Sequence, residues 1–197
     1  MSSDTYPLRR REVTADLLAG RGNALVIAGL GAPAWDVTAV GDDDLNFPLW
    51  GAMGGAVPIG LGLALARPDR RVLVITGDGE MLMGVGSLAT VAVQAPRNLA
   101  IAVLDNERYG ETGMQATHTA DGVDLAAMAS AAGVPHCETV RDQAALDSAA
   151  EKIRTLPGPV FIVVKVRAES PPLVLPPRDG VVLKDRFRAA LLGPDAD

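Results

Sequence analysis

The chain has 197 residues, 48% of them hydrophobic and 21% charged, with a formal net charge of −6. That composition excludes a disordered chain, which would lack the apolar residues for a core, and the acidic balance without a basic stripe excludes a nucleic-acid binder. A single cysteine, Cys137, rules out an intrachain disulfide and a cysteine-based metal cluster.

Residues 1–11 are polar and lack the apolar core of a signal peptide, so a cytoplasmic protein is expected. A helix is predicted over 7–19 and a strand over 24–28. The strand runs into Gly29-Leu30-Gly31-Ala32-Pro33-Ala34, which has the form of a dinucleotide fingerprint. No acidic residue stands about twenty positions on at the end of a second strand, as that fingerprint requires, so a nicotinamide or flavin site is not expected. A helix over 33–40 follows, then Asp42-Asp43-Asp44, read as a solvated loop. Next come Gly51-Ala52-Met53-Gly54 and a helix over 54–66. It is apolar nearly all round and is expected to be buried. The stretch 53–66 is too short to span a bilayer and carries four glycines.

A strand over 71–76 ends in Gly77-Asp78-Gly79-Glu80, where a helix predicted to reach Gln94 begins. The strand over 99–104 ends in Asp105-Asn106. Residues 105–123 show little periodicity, as functional loops do. A helix over 124–132, a strand over 135–140, a helix over 143–156 and a strand over 160–166 complete the core. His136 in that first strand reads as structural, and Cys137 as a small core residue. The Pro-rich stretch 170–177 is expected to be extended and to lead into a last helix over 184–192. Val- and Ile-rich strands alternating with helices give an α/β fold: an open parallel sheet with helices on both faces.

The chemistry concentrates at Gly77-Asp78-Gly79-Glu80. Strand, glycine turn and helix start together make an anion site, because first-turn amides are unpaired and glycines let the backbone come close to a phosphate. If the strands ending at Thr76 and Leu104 are neighbours, Asp78 and Asn106 meet at one edge. A carboxylate and an amide oxygen are hard donors suited to Mg²⁺ beside a diphosphate, and the Arg108 backbone carbonyl is a third candidate. Glu80 offers its backbone amide to the diphosphate more readily than its carboxylate, which also suits a first-turn helix charge. Tyr109 and Gly110 shape the turn after the metal site. Glu111, Thr112, Gln115 and His118 lie on the loop that could face substrate. His118 could donate to an anionic substrate or shuttle protons, or be a solvated loop histidine.

Gly77-Asp78-Gly79, then 26 residues, then Asn106 resembles the signature of the thiamine-diphosphate enzyme superfamily. Gly51-Ala52-Met53-Gly54 resembles the segment that holds the cofactor bent. The resemblance implies that the Gly51 carbonyl accepts from the 4′-amino group and that Met53 wedges between the two rings. Leu104-Asp105-Asn106-Glu107-Arg108-Tyr109-Gly110, with Thr112-Gly113 and Gln115, is similar to the sulfopyruvate and phosphonopyruvate decarboxylases. The likeness covers about residues 46–166.

The implied protein is a single diphosphate- and Mg²⁺-binding domain over 1–197. Its pyrimidine-binding domain, with the activating glutamate, would lie on a partner α chain in an even-numbered hetero-oligomer such as α₂β₂. The catalytic residues within this chain stay open, with Glu111 and His118 the candidates. The implied reaction is decarboxylation of an anionic 2-oxoacid to CO₂ and an aldehyde. The same site would serve a carboligase or synthase, and a non-catalytic cofactor-binding or regulatory subunit would carry the same motif.

Overall fold

A computed structural model describes residues 5–193. In chain order the elements are α1 (Arg10–Leu18), β1 (Leu25–Ala28), α2 (Ala32–Val40), β2 (Asn46–Pro48), α3 (Ala56–Ala66), β3 (Val72–Gly77), α4 (Asp78–Met83) and α5 (Ser87–Gln94). They continue with β4 (Leu99–Asp105), β5 (Arg108–Tyr109), β6 (Gln115–Ala116), a 3₁₀ turn (His118–Asp121), α6 (Leu125–Ala132), β7 (His136–Val140), α7 (Gln143–Thr155), β8 (Val160–Lys165) and α8 (Gly180–Leu192).

Six strands form one parallel sheet in the order β2-β1-β3-β4-β8-β7. Successive strand residues point to opposite faces, so each strand feeds two cores. Val72, Val74, Leu99, Ile101 and Phe161 pack with α3, α5, α6 and α8 through Val57, Leu61, Leu88, Val91, Leu125 and Phe187. Leu73, Ile75, Ala100, Ala102 and Ile162 pack with α1, α2 and α7 through Leu17, Val37, Leu146 and Ile153. The expected architecture is therefore present, with helices on both faces. Chain order reverses between β1 and β3, and α/β sheets bind ligands at the carboxyl ends of strands beside such a reversal.

Several local expectations need correction. The helix predicted over 80–94 is two helices, α4 and α5, broken at Gly84 to Gly86. A Cβ on Gly84 would lie 2.3 Å from the Gly54 carbonyl oxygen, so the break lets two backbones touch. The short edge strand β2 and the antiparallel β5–β6 hairpin were not anticipated. Helix α3 is buried on one flank only, since Ile59 and Leu65 are exposed. Edge strand β7 is partly exposed, with His136 exposed at its start and Cys137 half-buried. Burial pushes the Cys137 thiol up to about 11. The acidic loop is not merely solvated: Arg186 of α8 donates two 2.7 Å hydrogen bonds to Asp42. Helix α8 also starts earlier than predicted, because the Asp179 side chain caps the amides of Val181 and Val182.

Candidate functional site

β3 and β4 are adjacent, with Gly77 opposite Leu104, so the turns that follow them share one sheet edge. Those turns open into a cavity of about 470 Å³. It is lined by Met53, Gly77, Asp78, Gly79, Glu80, Asn106, Arg108, Tyr109, Gly110 and Glu111, so most of the expected site residues come together. Gly51 and His118 are not in that wall. Both are solvent-exposed, Gly51 in the loop before α3 and His118 at the start of the 3₁₀ turn.

Asp78 is 2% exposed. Its Oδ2 accepts from the Thr117 hydroxyl at 2.5 Å and from the Thr119 hydroxyl at 3.2 Å. Among the described residues no cationic side chain pairs with it. Burial, followed by repulsion from Asp105, pushes the Asp78 carboxyl up to about 7, and the two threonine hydroxyls only partly oppose this. Asn106 Oδ1 accepts from the Arg108 amide at 3.0 Å, which leaves one amide lone pair. The Thr117 amide donates to the Glu107 carbonyl. Arg108 therefore falls at a non-hydrogen-bonded hairpin position, with its carbonyl free of the opposite strand.

Asp78, Asn106 and that carbonyl suit a hard divalent cation that takes its remaining oxygens from a phosphate and water. Among the described residues there is no group of three or more His, Cys, Asp or Glu able to hold a metal alone.

Behind Asp78 lies a second polar cluster. Lys165 Nζ is 2.7 Å from Asp105 Oδ2 and 2.9 Å from Glu107 Oε1. Tyr6 donates to Glu107 at 2.7 Å, and Thr119 donates to Asp105 at 2.8 Å. Burial alone would raise Glu107, but hydrogen bonds from Tyr6 and Lys165 hold it below its ordinary value. Burial likewise works against Lys165, and its two carboxylates raise it. Glu107 sits in the left-handed region at φ 61°, so this segment stores backbone strain where the site is built.

Glu80 lines the cavity, yet its carboxylate turns inward. Oε2 accepts from Thr76 at 2.7 Å, and a Cβ on Gly29 would lie 1.8 Å from it. Oε1 is buried and makes no well-aligned hydrogen bond among the described residues. Burial pushes Glu80 up, with the amides of Leu30, Ala56 and Gly54 opposing. The glycines of the fingerprint-like segment thus make room for carboxylates: Gly29 for Glu80, and Gly31 (φ 78°) for Glu111, which would touch a Cβ there at 2.9 Å. Gly79 makes room for the Tyr109 ring, 2.5 Å from where its Cβ would stand. Burial raises Glu111, and Arg10 opposes this. In the loop before α3, Ala52 is left-handed at φ 57°.

Thr117, Thr119, Asp105, Lys165, Tyr6 and Arg10 were not anticipated as parts of the site. Only Thr117-x-Thr119, two hydroxyls at alternate positions, offered a local signal. Arg10 lines the cavity from α1, and its Nε is 3.1 Å from Asp36 Oδ2.

The profile of a family described as thiamine pyrophosphate enzyme, C-terminal TPP binding domain, matches residues 37–164. The chain is 39% identical to the sulfopyruvate decarboxylase subunit beta of Methanothermobacter thermautotrophicus, over 88% of this chain and 90% of that one. It is 38% identical to the phosphonopyruvate decarboxylase of Streptomyces viridochromogenes, over 88% of this chain but only 44% of that longer protein. Among solved structures, benzoylformate decarboxylase from Polynucleobacter necessarius superposes with a TM-score of 0.67 at 21% identity, over 88% of this chain and 36% of that chain. At that identity the likeness concerns the fold.

Proposed function

Because the chain belongs to the thiamine pyrophosphate enzyme family, as its C-terminal TPP binding domain, we propose that it is the β-type subunit of a heteromeric, cytoplasmic 2-oxoacid decarboxylase. Its substrate is sulfopyruvate, phosphonopyruvate or a related anionic 2-oxoacid, and its products are CO₂ and an aldehyde. The observation that carries this reading is Asp78: a buried carboxylate in the cavity wall, beside Asn106, with no cationic partner among the described residues.

In this reading Asp78, Asn106 and the Arg108 carbonyl hold Mg²⁺. The amides of Gly77, Gly79 and Glu80 face the diphosphate, with Tyr109 and Gly110 closing over it. Gly51 and Met53 receive the pyrimidine side. The bound cofactor supplies the electron sink for loss of CO₂. The chain's own residues position it, favour the ionised form of Asp78 through the Thr117 and Thr119 hydroxyls, and keep the space apolar through Leu30, Leu104 and Met53.

Residues 1–197 then act as one diphosphate-binding domain, and the partner subunit brings the pyrimidine-binding domain and its activating glutamate. Two facts support a partner. The chain spans less than half of the longer phosphonopyruvate decarboxylase. Ile59 and Leu65 on α3, with Met83 and Val93 nearby in sequence on α4 and α5, leave apolar side chains in solvent. An even-numbered assembly such as α₂β₂ follows from sites shared between chains.

Calorimetric titration of thiamine diphosphate with Mg²⁺ tests this, using wild type and Asp78→Ala with and without the partner subunit. Metal-dependent binding that the substitution abolishes and the partner tightens is expected. Binding that is indifferent to Asp78, or normal turnover by the chain alone, would overturn it.

A further inference from the structure

Arg10 is the first residue of α1, and its side chain is only 7% exposed. Its Nε lies 3.1 Å from Oδ2 of Asp36, which is fully buried in α2. The same carboxylate takes Arg11 Nε at 3.0 Å on its other oxygen. Two guanidinium groups thus share one buried carboxylate, and Glu169 and Glu111 of the cavity wall act on Arg10 from farther away. Arg11 commits Nη2 to the Pro172 carbonyl at 3.0 Å. None of the guanidinium nitrogens of Arg10 has a hydrogen-bond partner among the described residues: Nε is buried and meets Asp36 as an ion pair, and the two terminal nitrogens are not sealed from the cavity that Arg10 lines.

A buried guanidinium ion-paired on its Nε side, with both terminal nitrogens unmatched, is a two-pronged donor for an oxyanion. The wall it shares with Leu30, Pro33, Trp35 and Leu173 is apolar, which strengthens a charge-assisted bond there. The other charged groups on this wall do not replace it. Arg108 Nη1 is engaged by the Glu107 carbonyl at 3.0 Å. Glu169 is matched by Arg9 at 2.8 Å. Glu111 feels Arg10 but makes no ion pair with it. Arg10 and Asp36 also stand outside residues 37–164, the part shared across the family.

We propose that Arg10 binds the side-chain oxyanion of the substrate, a sulfonate or phosphonate, through its two terminal nitrogens, with Asp36 as its positioning residue. The anion site rests on geometry alone, and its use for a 2-oxoacid rests on the proposed function.

Trp35 shares the cavity with Arg10, so its emission in a Trp50→Phe background reports occupancy. Sulfoacetate and phosphonoacetate are expected to give a saturable change, and acetate none. Arg10→Lys should weaken binding about tenfold, and Arg10→Met should remove it. Arg10→Met leaves Asp36 paired one to one with Arg11 and is expected to fold, and Arg10→Gln, which keeps a polar group without the charge, serves as the second variant and should also not bind. Sulfoacetate binding that survives both Arg10→Met and Arg10→Gln, equal binding of acetate, or no saturable change in the parent would overturn the proposal.

In the complex with the partner subunit, thiamine diphosphate and Mg²⁺, Arg10→Met should raise KM for sulfopyruvate at least about thirtyfold, while KM for pyruvate and the Kd for the cofactor stay within about twofold. Equal losses on both substrates, or weakened cofactor binding, would overturn it. A parent complex that turns over neither 2-oxoacid, while the chain still binds sulfoacetate through Arg10, counts against the decarboxylase reading and not against the anion site.

Discussion

Asp78 and Asp105 stand at the ends of neighbouring strands, 2% and 1% exposed, and they share the hydroxyl of Thr119. Their surroundings differ in one respect. Asp105 has Lys165 at 2.7 Å, whereas among the described residues Asp78 has hydroxyls and no cation. Burying a charge is tolerated when it is paired and is costly otherwise. The chain therefore completes one acid internally and leaves the other to be completed from outside, on the side where the cavity lies. A site that waits for a ligand differs from one that stabilises the fold by the missing cation and not by the presence of acid.

The largest effect that tests this contrast is on the completed side. Lys165→Met strands Asp105 and Glu107 without their cation and should cost about 3–5 kcal/mol of stability, read as a denaturant midpoint shift. A loss below about 1 kcal/mol would mean that the two acids are as poorly satisfied as Asp78.

Asp78→Asn should do the reverse. The ligand-free protein gains stability, while metal-dependent cofactor affinity falls by about a hundredfold or more. The gain has a pH window. The folded Asp78 carboxyl lies near 7 against an ordinary 3.8, so its protonated form favours the fold at low pH. That contribution is lost as pH rises through the folded value. The difference in Tm between Asp78→Asn and wild type should therefore widen from about pH 4 to about pH 7 and then level off. A difference independent of pH would remove the claim of an uncompensated acid.

Thr117→Val takes away the 2.5 Å hydrogen bond to Asp78. It should cost about 1–2 kcal/mol of stability and weaken metal-dependent cofactor binding about tenfold or more. Ala52→Gly relieves a left-handed alanine and should change stability by less than about 1 kcal/mol, measured by urea unfolding.

The sequence made the sheet legible because strands buried on both faces are continuous Val, Ile, Leu and Ala runs, and each predicted strand lies within a residue of its observed ends. Gly77-Asp78-Gly79 and Asn106 were legible because a strand end and its turn are local, and strand adjacency brought them together. What was not legible depends on contacts far apart in the chain. Lys165 lies 58 residues from Glu107, and Tyr6 lies 101 from it. The same holds for Arg10, whose role needs Asp36 and the cavity at once. The unbroken helix predicted over 80–94 failed for a similar reason. Its apolar stripe does continue, and only the approach of residue 54 explains why the chain turns at Gly84.

That approach sets a dimension. The Gly54 carbonyl lies where any side chain at position 84 would have to begin, so the loop before α3 and the end of α4 are spaced by main chain against main chain. No substitution elsewhere can shorten that gauge, and any side chain at position 84 forces it wider. The segment between them, α3 through α4, is therefore held at both ends, and insertions there should be accommodated in the turn at residues 67–71, where the chain leaves the helix for the sheet.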